Sequence, residues 1–269
     1  MRGSIGTLVA ASMGVFACVA CTVPLDDQGQ LEDESIGSVQ QALEQAEIER
    51  VQVVSGSGVV VAACPPELPR ALGNSFSTAA QGLNALYYDG GFFPSEVVAE
   101  KPNLSGTVTV TSVCSNAFGL PRTKLESDGD AFANCFDGEV AVGGGGICST
   151  ASAKLYRSRP SPDVNGSEPT AWRASCTTGA VETWALCVDE NFVYDFTQCR
   201  TKRVDKSSGV AQATCDIGDF VVTVGAYCAS PSPGIAWTDI ATDHTNASAV
   251  CLGSGPIHLY AVCCDNVEL

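Results

Sequence analysis

The residues of this chain whose types could support chemistry are two histidines, a run of four glycines, an Asp-Gly-Asp triplet, the cysteines and a few aromatics. His244 and His258 are too few for a three-histidine metal site. His258 alternates with Tyr260 and Val262 and is expected on a partly exposed strand face, with Glu182 and Thr109 as its counterparts elsewhere in the chain. His244 follows Asp243 in a polar segment between Trp237 and Cys251. A serine and an acid could meet it there, but no Gly-x-Ser-x-Gly elbow exists to expose a serine. Gly143–Gly146 lacks the Lys-Ser/Thr of a phosphate loop and is expected as a tight turn or bulge beside Cys148. Asp128-Gly129-Asp130 lacks the further spaced oxygens of a calcium loop and is expected as a solvated turn. These residues therefore imply no catalytic residue, metal or cofactor. Tyr88, Phe93, Tyr156, Trp172 and Trp237 fall in or near loop-like stretches and are the ligand-binding candidates, although plugging the core of each repeat is the favoured reading of these aromatics. Trp172 and Trp237 occupy related slots by this reading, and Trp184 is assigned to the core.

Cysteines supply the frame that must position any such residues. Ala62-Ala63-Cys64, Ala133-Asn134-Cys135 and Ala213-Thr214-Cys215 open three units, which Cys114, Cys187 and Cys263 close. The opening-to-closing separations are 50, 52 and 48 residues. In the second and third units an inner cysteine, Cys148 or Cys228, follows the opening one by 13 residues, and Cys176 or Cys251 precedes the closing one. Ser77 stands at that spacing in the first unit. The spacing implies bridges Cys64–Cys114, Cys135–Cys187, Cys215–Cys263, Cys148–Cys176 and Cys228–Cys251. Cys199 and Cys264 pair by exclusion, and Cys263 and Cys264 could exchange roles.

Local pattern reads as strand almost throughout. Thr107–Cys114, Val181–Cys187 and Ile257–Cys263 occupy one slot in the three units, and Glu139–Val142 and Asp219–Tyr227 another. Ser55-Gly-Ser-Gly58 is a turn between two valine-rich runs. The expected fold is all-β, in three disulfide-framed repeats over 50–118, 119–190 and 191–269 with room for about four strands each. Either a pseudo-threefold prism or three tandem small sandwiches would fit. A single compact body is favoured, because a 50-residue unit alone buries little core.

Residues 1–20 read as a signal peptide: Arg2, then an apolar run from Thr7 to Ala20. Ala20-Cys21 and Ala17-Cys18 both resemble a lipobox. Lipidation at Cys21 leaves twelve cysteines, an even set, and is preferred over free secretion. Residues 21–49 form an acidic tether, with a helical turn or two over Val39–Ala46. Asp26, Asp27, Glu32, Asp33, Glu34, Glu44, Glu47 and Glu49 fall here with no Lys or Arg among them. The formal charge is -16, which disfavours nucleic acid as a partner, and no later apolar run is long enough to span a bilayer. Membrane contact would come only through the lipid, and the oligomeric state is left open.

Cys135-Phe-Asp-Gly-Glu-Val-Ala-Val-Gly-Gly-Gly-Gly146, Ser158-Arg-Pro160, Trp172 and Trp184-Ala-Leu-Cys187 resemble a repeat of bacterial secreted proteins and lipoproteins. That repeat runs Cys-Pro-x-Gly, Gly-Gly-Gly, Ser-x-Pro, Trp, Ala-x-Cys. The third unit keeps Gly218, Pro231, Trp237 and Tyr260-Ala-Val-Cys263, and the first keeps Cys64-Pro65. Threefold prisms of the vitelline-membrane outer-layer type are similar at greater distance. The resemblance implies adhesion or binding of a surface glycan or protein. A structural envelope component, and a hydrolase built on His244, are the rival expectations.

Overall fold

The computed structural model describes residues 48–55, 58–78, 82–89, 94–101, 106–116, 122–128, 131–189, 196–229 and 234–266. The signal peptide, Cys18, Cys21, the tether up to residue 47 with its helical turns, Phe92, Phe93, Gly129, Asp130 and Pro231 lie outside the described residues.

Each unit contributes six strands rather than about four. The first supplies β1 (Ile48–Ser55), β2 (Gly58–Ala63), β3 (Arg70–Thr78), β4 (Ala85–Asp89), β5 (Glu96–Lys101) and β6 (Val108–Ser115). The second supplies β7 (Arg122–Asp128), β8 (Phe132–Asn134), β9 (Glu139–Cys148), β10 (Leu155–Ser161), β11 (Ala171–Cys176) and β12 (Val181–Asp189). The third supplies β13 (Phe196–Lys206), β14 (Ala211–Thr214), β15 (Asp219–Cys228), β16 (Ile235–Ile240), β17 (Asn246–Cys251) and β18 (Ile257–Asn266).

The strands form three six-stranded sheets, and none belongs to a single unit. Sheet I runs β1-β6-β3-β16-β17-β14, sheet II β2-β5-β4-β9-β12-β7, and sheet III β13-β18-β15-β10-β11-β8. Every sheet takes the first, sixth and third strands of one unit and the fourth, fifth and second of another. The exchange is cyclic, which excludes tandem sandwiches and gives the threefold prism. A short unit cannot bury both faces of its own strands, so lending three of them to a neighbour closes a shared core.

The third strand of each unit carries a bulge at the same place: Leu72 in β3, Val142 in β9 and Val222 in β15. All three bulged residues are buried. A bulge bends its strand, and here the bends bring backbones of different sheets together. A Cβ added to Gly73 would lie 1.8 Å from Val222 O, and one on Gly143 would lie 2.9 Å from Leu72 O. Asn74 joins the sheets at this crossing. Its Nδ2 donates to Gly144 O at 2.9 Å and to Tyr88 Oη at 2.9 Å, and its backbone N–H donates to Thr223 Oγ1 at 3.3 Å.

Gly143–Gly146 lies within β9, not in a turn. The expectation of a turn failed because the glycines answer to tertiary packing. A Cβ on Gly144 would sit 2.1 Å from Trp172 Cγ, and one on Gly145 1.9 Å from Leu86 O. The runs on either side of Ser55–Gly58, β1 and β2, belong to different sheets, and Gly56 and Ser57 lie outside the described residues.

Among the described residues there are six disulfides: Cys64–Cys114, Cys135–Cys187, Cys148–Cys176, Cys199–Cys264, Cys215–Cys263 and Cys228–Cys251. They are the pairs that the spacing implied, with the ambiguity between Cys263 and Cys264 resolved. Such a set requires an oxidising compartment. The slots of the inner bridge in the first unit fall on Thr78 and Lys101, by register with Cys148/Cys228 and Cys176/Cys251, so Ser77 is one residue out. Thr78 makes hydrogen bonds instead, donating to Ala236 O of the neighbouring strand in its own sheet at 2.9 Å and accepting from Gly82 N at 3.0 Å.

Candidate functional site

Tyr88 and Trp172 are core side chains, which removes both from a ligand surface. Each is at most 2% exposed. Trp172 donates from Nε1 to Ser158 Oγ at 3.0 Å and lies against Gly144. Trp184, assigned to the core, is half-buried and stacks on Tyr87 at 6.3 Å. Trp172 follows the favoured core reading, and Trp184 departs from its own because strand parity, not proximity to a closing cysteine, decides which way a side chain points. Trp172 and Trp237 are not in related slots either: Trp172 is on the fifth strand of its unit and Trp237 on the fourth. Tyr156 and Trp237 are half-buried, in strands rather than loops.

His244 adopts φ 54°, and its Nδ1 lies 3.3 Å from Val221 O. Burial lowers its pKa. Among the described residues no serine hydroxyl is hydrogen-bonded to it. Cys135, Glu139 and Cys187 converge, but both sulfurs are consumed in a disulfide, and Glu139 Oε2 accepts from Phe136 N at 2.8 Å.

The strongest constellation lies on the face of sheet III away from the core. Its five strands β13, β18, β15, β10 and β11 align Asp205, His258, Tyr227, Arg157 and Ser175 in one cross-strand row. A bulge at Tyr156 in β10 breaks the alternation and brings Tyr156 beside the row, 6.2 Å from Tyr227. Tyr227 is covered on both sides: His258 stacks on it at 5.2 Å and 13°, and the Arg157 guanidinium sits 4.5 Å from the ring centroid. Asp205 Oδ1 accepts from His258 Nδ1 at 2.7 Å, and Arg203 clamps the same carboxylate through Nε and Nη2 at 2.8 and 3.0 Å. Hydrogen bonding from Arg203, then from His258, holds the Asp205 carboxyl below its usual range.

A second row contains Arg203, Tyr260 and Gly225, with Arg173 opposite Arg159 and Phe132. Gly225 adds no side chain here, and Arg159 crosses β15 to lie 5.1 Å from the Tyr260 ring centroid. Burial raises the Tyr260 pKa, against the pull of Arg159 and Arg203. Burial also lowers the pKa of Arg159, whose Nη2 meets Asp163 at 3.1 Å. Its buried Nε has no hydrogen-bond partner.

The β10–β11 loop covers one side of this face. Asp163 O accepts from Arg203 Nη1 and Asn165 Oδ1 from Arg203 N, both at 2.9 Å. Gly166 N donates to Thr201 O, and Thr201 N to Ser167 O, both at 2.8 Å, which occupies the free edge of β13. Beside the loop is a cavity of about 160 Å³ lined by residues that include Arg200, Thr201, Lys202, Asp216 and Asp219. That is below the ~300 Å³ of ordinary small-molecule pockets. Lys202 and Asp216 pair across it at 2.8 Å. The Asp219 carboxyl is pushed up to about 6 by burial and by its hydrogen bond to Asp265.

Sequence reasoning missed this face except for His258 and Tyr156. One signal was available: eight of the 14 basic residues lie between Lys154 and Lys206. No protein-family model matches this chain, and a search of curated proteins finds no match.

Proposed function

We propose that this chain is an exported, non-enzymatic binding module whose ligand, a surface glycan or protein, docks on the outer face of sheet III. One observation carries the reading. The threefold scaffold offers three equivalent rows, and only one holds the cation–aromatic constellation. Where sheet III has Asp205, His258, Tyr227, Arg157 and Ser175, sheet II has Ser127, Glu182, Ile147, Ala85 and Glu100. Sheet I has Val54, Thr109, Ser77, Trp237 and Val250. The fold therefore does not need arginine or histidine there. An arginine as buried as Arg159, with an unpartnered Nε, also costs stability that a scaffold alone has no reason to spend.

In this reading residues 1–20 direct export and Cys21 carries the lipid, which displays the module at an outer surface. Mass spectrometry of the amino-terminal peptide, with and without Cys21→Ala, tests that part: an unmodified Cys21 removes the anchor. A glycan and surface-protein array probed with the purified disulfide-bonded chain tests the binding reading. Capture weakened by substitutions on sheet III, and not by substitutions on sheet II, is expected. Loss of every captured ligand through sheet II instead would sink it.

A structural envelope component is the second reading, favoured by the burial of Tyr88 and Trp172, which takes two large aromatics away from any surface. Capture of nothing by the array would leave that reading standing. The hydrolase reading gains no support from His244, to which no serine hydroxyl is hydrogen-bonded among the described residues.

A further inference from the structure

We infer that the ligand of sheet III is an acidic polysaccharide, gripped through its carboxylate or sulfate groups; this rests on the binding reading above. The charge of the strands is strongly sorted among the three sheets. The six strands of sheet III contain seven basic and three acidic residues, those of sheet II three basic and eight acidic, and those of sheet I two of each. In a chain of formal charge -16 the strands of sheet III are thus net basic and those of sheet II net acidic. Arg200, Lys202 and Lys206 alternate to the inner side of β13, and the outer rows of sheet III hold Arg157, Arg159, Arg173 and Arg203. Such a field attracts a polyanion to sheet III and repels it from sheet II.

The geometry narrows the chemistry further. A neutral sugar is usually held by stacking on an open aromatic face. Tyr227 has no open face, because His258 and Arg157 flank it. Tyr260 is capped by Arg159 and Arg203 and is 1% exposed. The rings act as walls that hold planar guanidinium groups upright, and a fork held in this way matches the two oxygens of a carboxylate or sulfate. Arg157 and Arg173 are half-buried and belong to neighbouring rows of adjacent strands, so they present repeated cationic points along an extended chain. Repetition suits a polymer better than a single small anion, because several weak contacts add through effective concentration. Asp163 and Asp205 fix Arg159 and Arg203 in place beside Arg157 and Arg173.

The test uses the purified disulfide-bonded chain and three immobilised polymers: polygalacturonate for carboxylate, dextran sulfate for sulfate, and neutral dextran. Saturable binding to one or both acidic polymers and none to dextran is expected, weakening as salt rises. Arg157→Gln with Arg173→Gln should weaken it at least tenfold while the melting temperature stays close to that of the parent chain. Arg157→Lys with Arg173→Lys should recover only part of the affinity, and Glu182→Gln on sheet II should change it less than twofold. Equal retention by dextran, full retention by the double glutamine variant, or no retention by either acidic polymer overturns the proposal. If the array shows a neutral glycan or a protein captured through sheet III while both acidic polymers fail, the binding reading survives and only the polyanion is wrong. If nothing is captured anywhere, both fall.

Discussion

At the residue scale, glycine and carboxyl positions give the sharpest expectations. Gly144 faces Trp172 at a distance that no Cβ can occupy, with Trp184 O only 2.5 Å from the added carbon on another side. Neither neighbour can yield, since one is a buried indole and the other a strand backbone. Gly144→Ala should therefore cost about 2–3 kcal/mol, read by chemical denaturation; a change below about 0.5 kcal/mol would mean that β9 and Trp172 are not packed this way. Asp219 gives a pH signature. Its carboxyl titrates near 6 in the folded chain against an ordinary value of 3.8, so the fold favours its protonated form. Its contribution is fully present below pH ~4 and is lost as pH rises through ~6. Asp219→Asn should then raise the melting temperature at pH 7.5, with the gain vanishing at pH 4. A gain that is independent of pH would show that Asp219 is not desolvated beside Asp265.

At the scale of elements, the two inner bridges link different sheets, whereas Cys199–Cys264 ties the neighbouring strands β13 and β18 of sheet III. Cys148 of β9 in sheet II meets Cys176 of β11 in sheet III, and Cys228 of β15 in sheet III meets Cys251 of β17 in sheet I. The corresponding corner of the first unit has Thr78 and Lys101 in the two cysteine slots and closes without a covalent link. Replacing Cys148 and Cys176 by Ala should cost about 3–4 kcal/mol by loop-closure entropy, measured by denaturation without reductant. The fold should survive it, because Thr78 shows that the corner closes without sulfur. The bridge pattern was legible in the sequence, since a covalent pair leaves both partners at repeating separations. The directions of side chains were not. Side chains alternate along a strand, so the exact strand register decides which face each takes: Trp172 turned inward, while Trp184 turned outward against its assignment to the core.

At the scale of the whole body, each unit is incomplete by construction. The first unit lends β2, β4 and β5 to sheet II and keeps β1, β3 and β6 in sheet I beside strands of the third unit. A chain covering residues 48–116 alone would lack every one of those neighbours. It should show no cooperative melting and no dispersed amide spectrum even with Cys64–Cys114 formed; a folded fragment would refute the exchange. The candidate site has the same origin. Asp205, His258 and Tyr227 come from the third unit, and Arg157, Arg159 and Arg173 from the second. The excess of basic residues from 154 to 206 was visible in the chain, but its convergence on one face depends on which unit lends strands to which.

The sequence by itself indicated the cysteine pairing, short of the choice between Cys263 and Cys264, together with the strand-rich character and the triplication, because each is written in local spacing and composition. Only the tertiary structure decided that the units exchange strands, that the glycine run is a packing surface, and that arginines distant in the chain share one face. Those features come from close approach between segments far apart in sequence, and the spacing of residues along a chain carries no record of which backbones will touch.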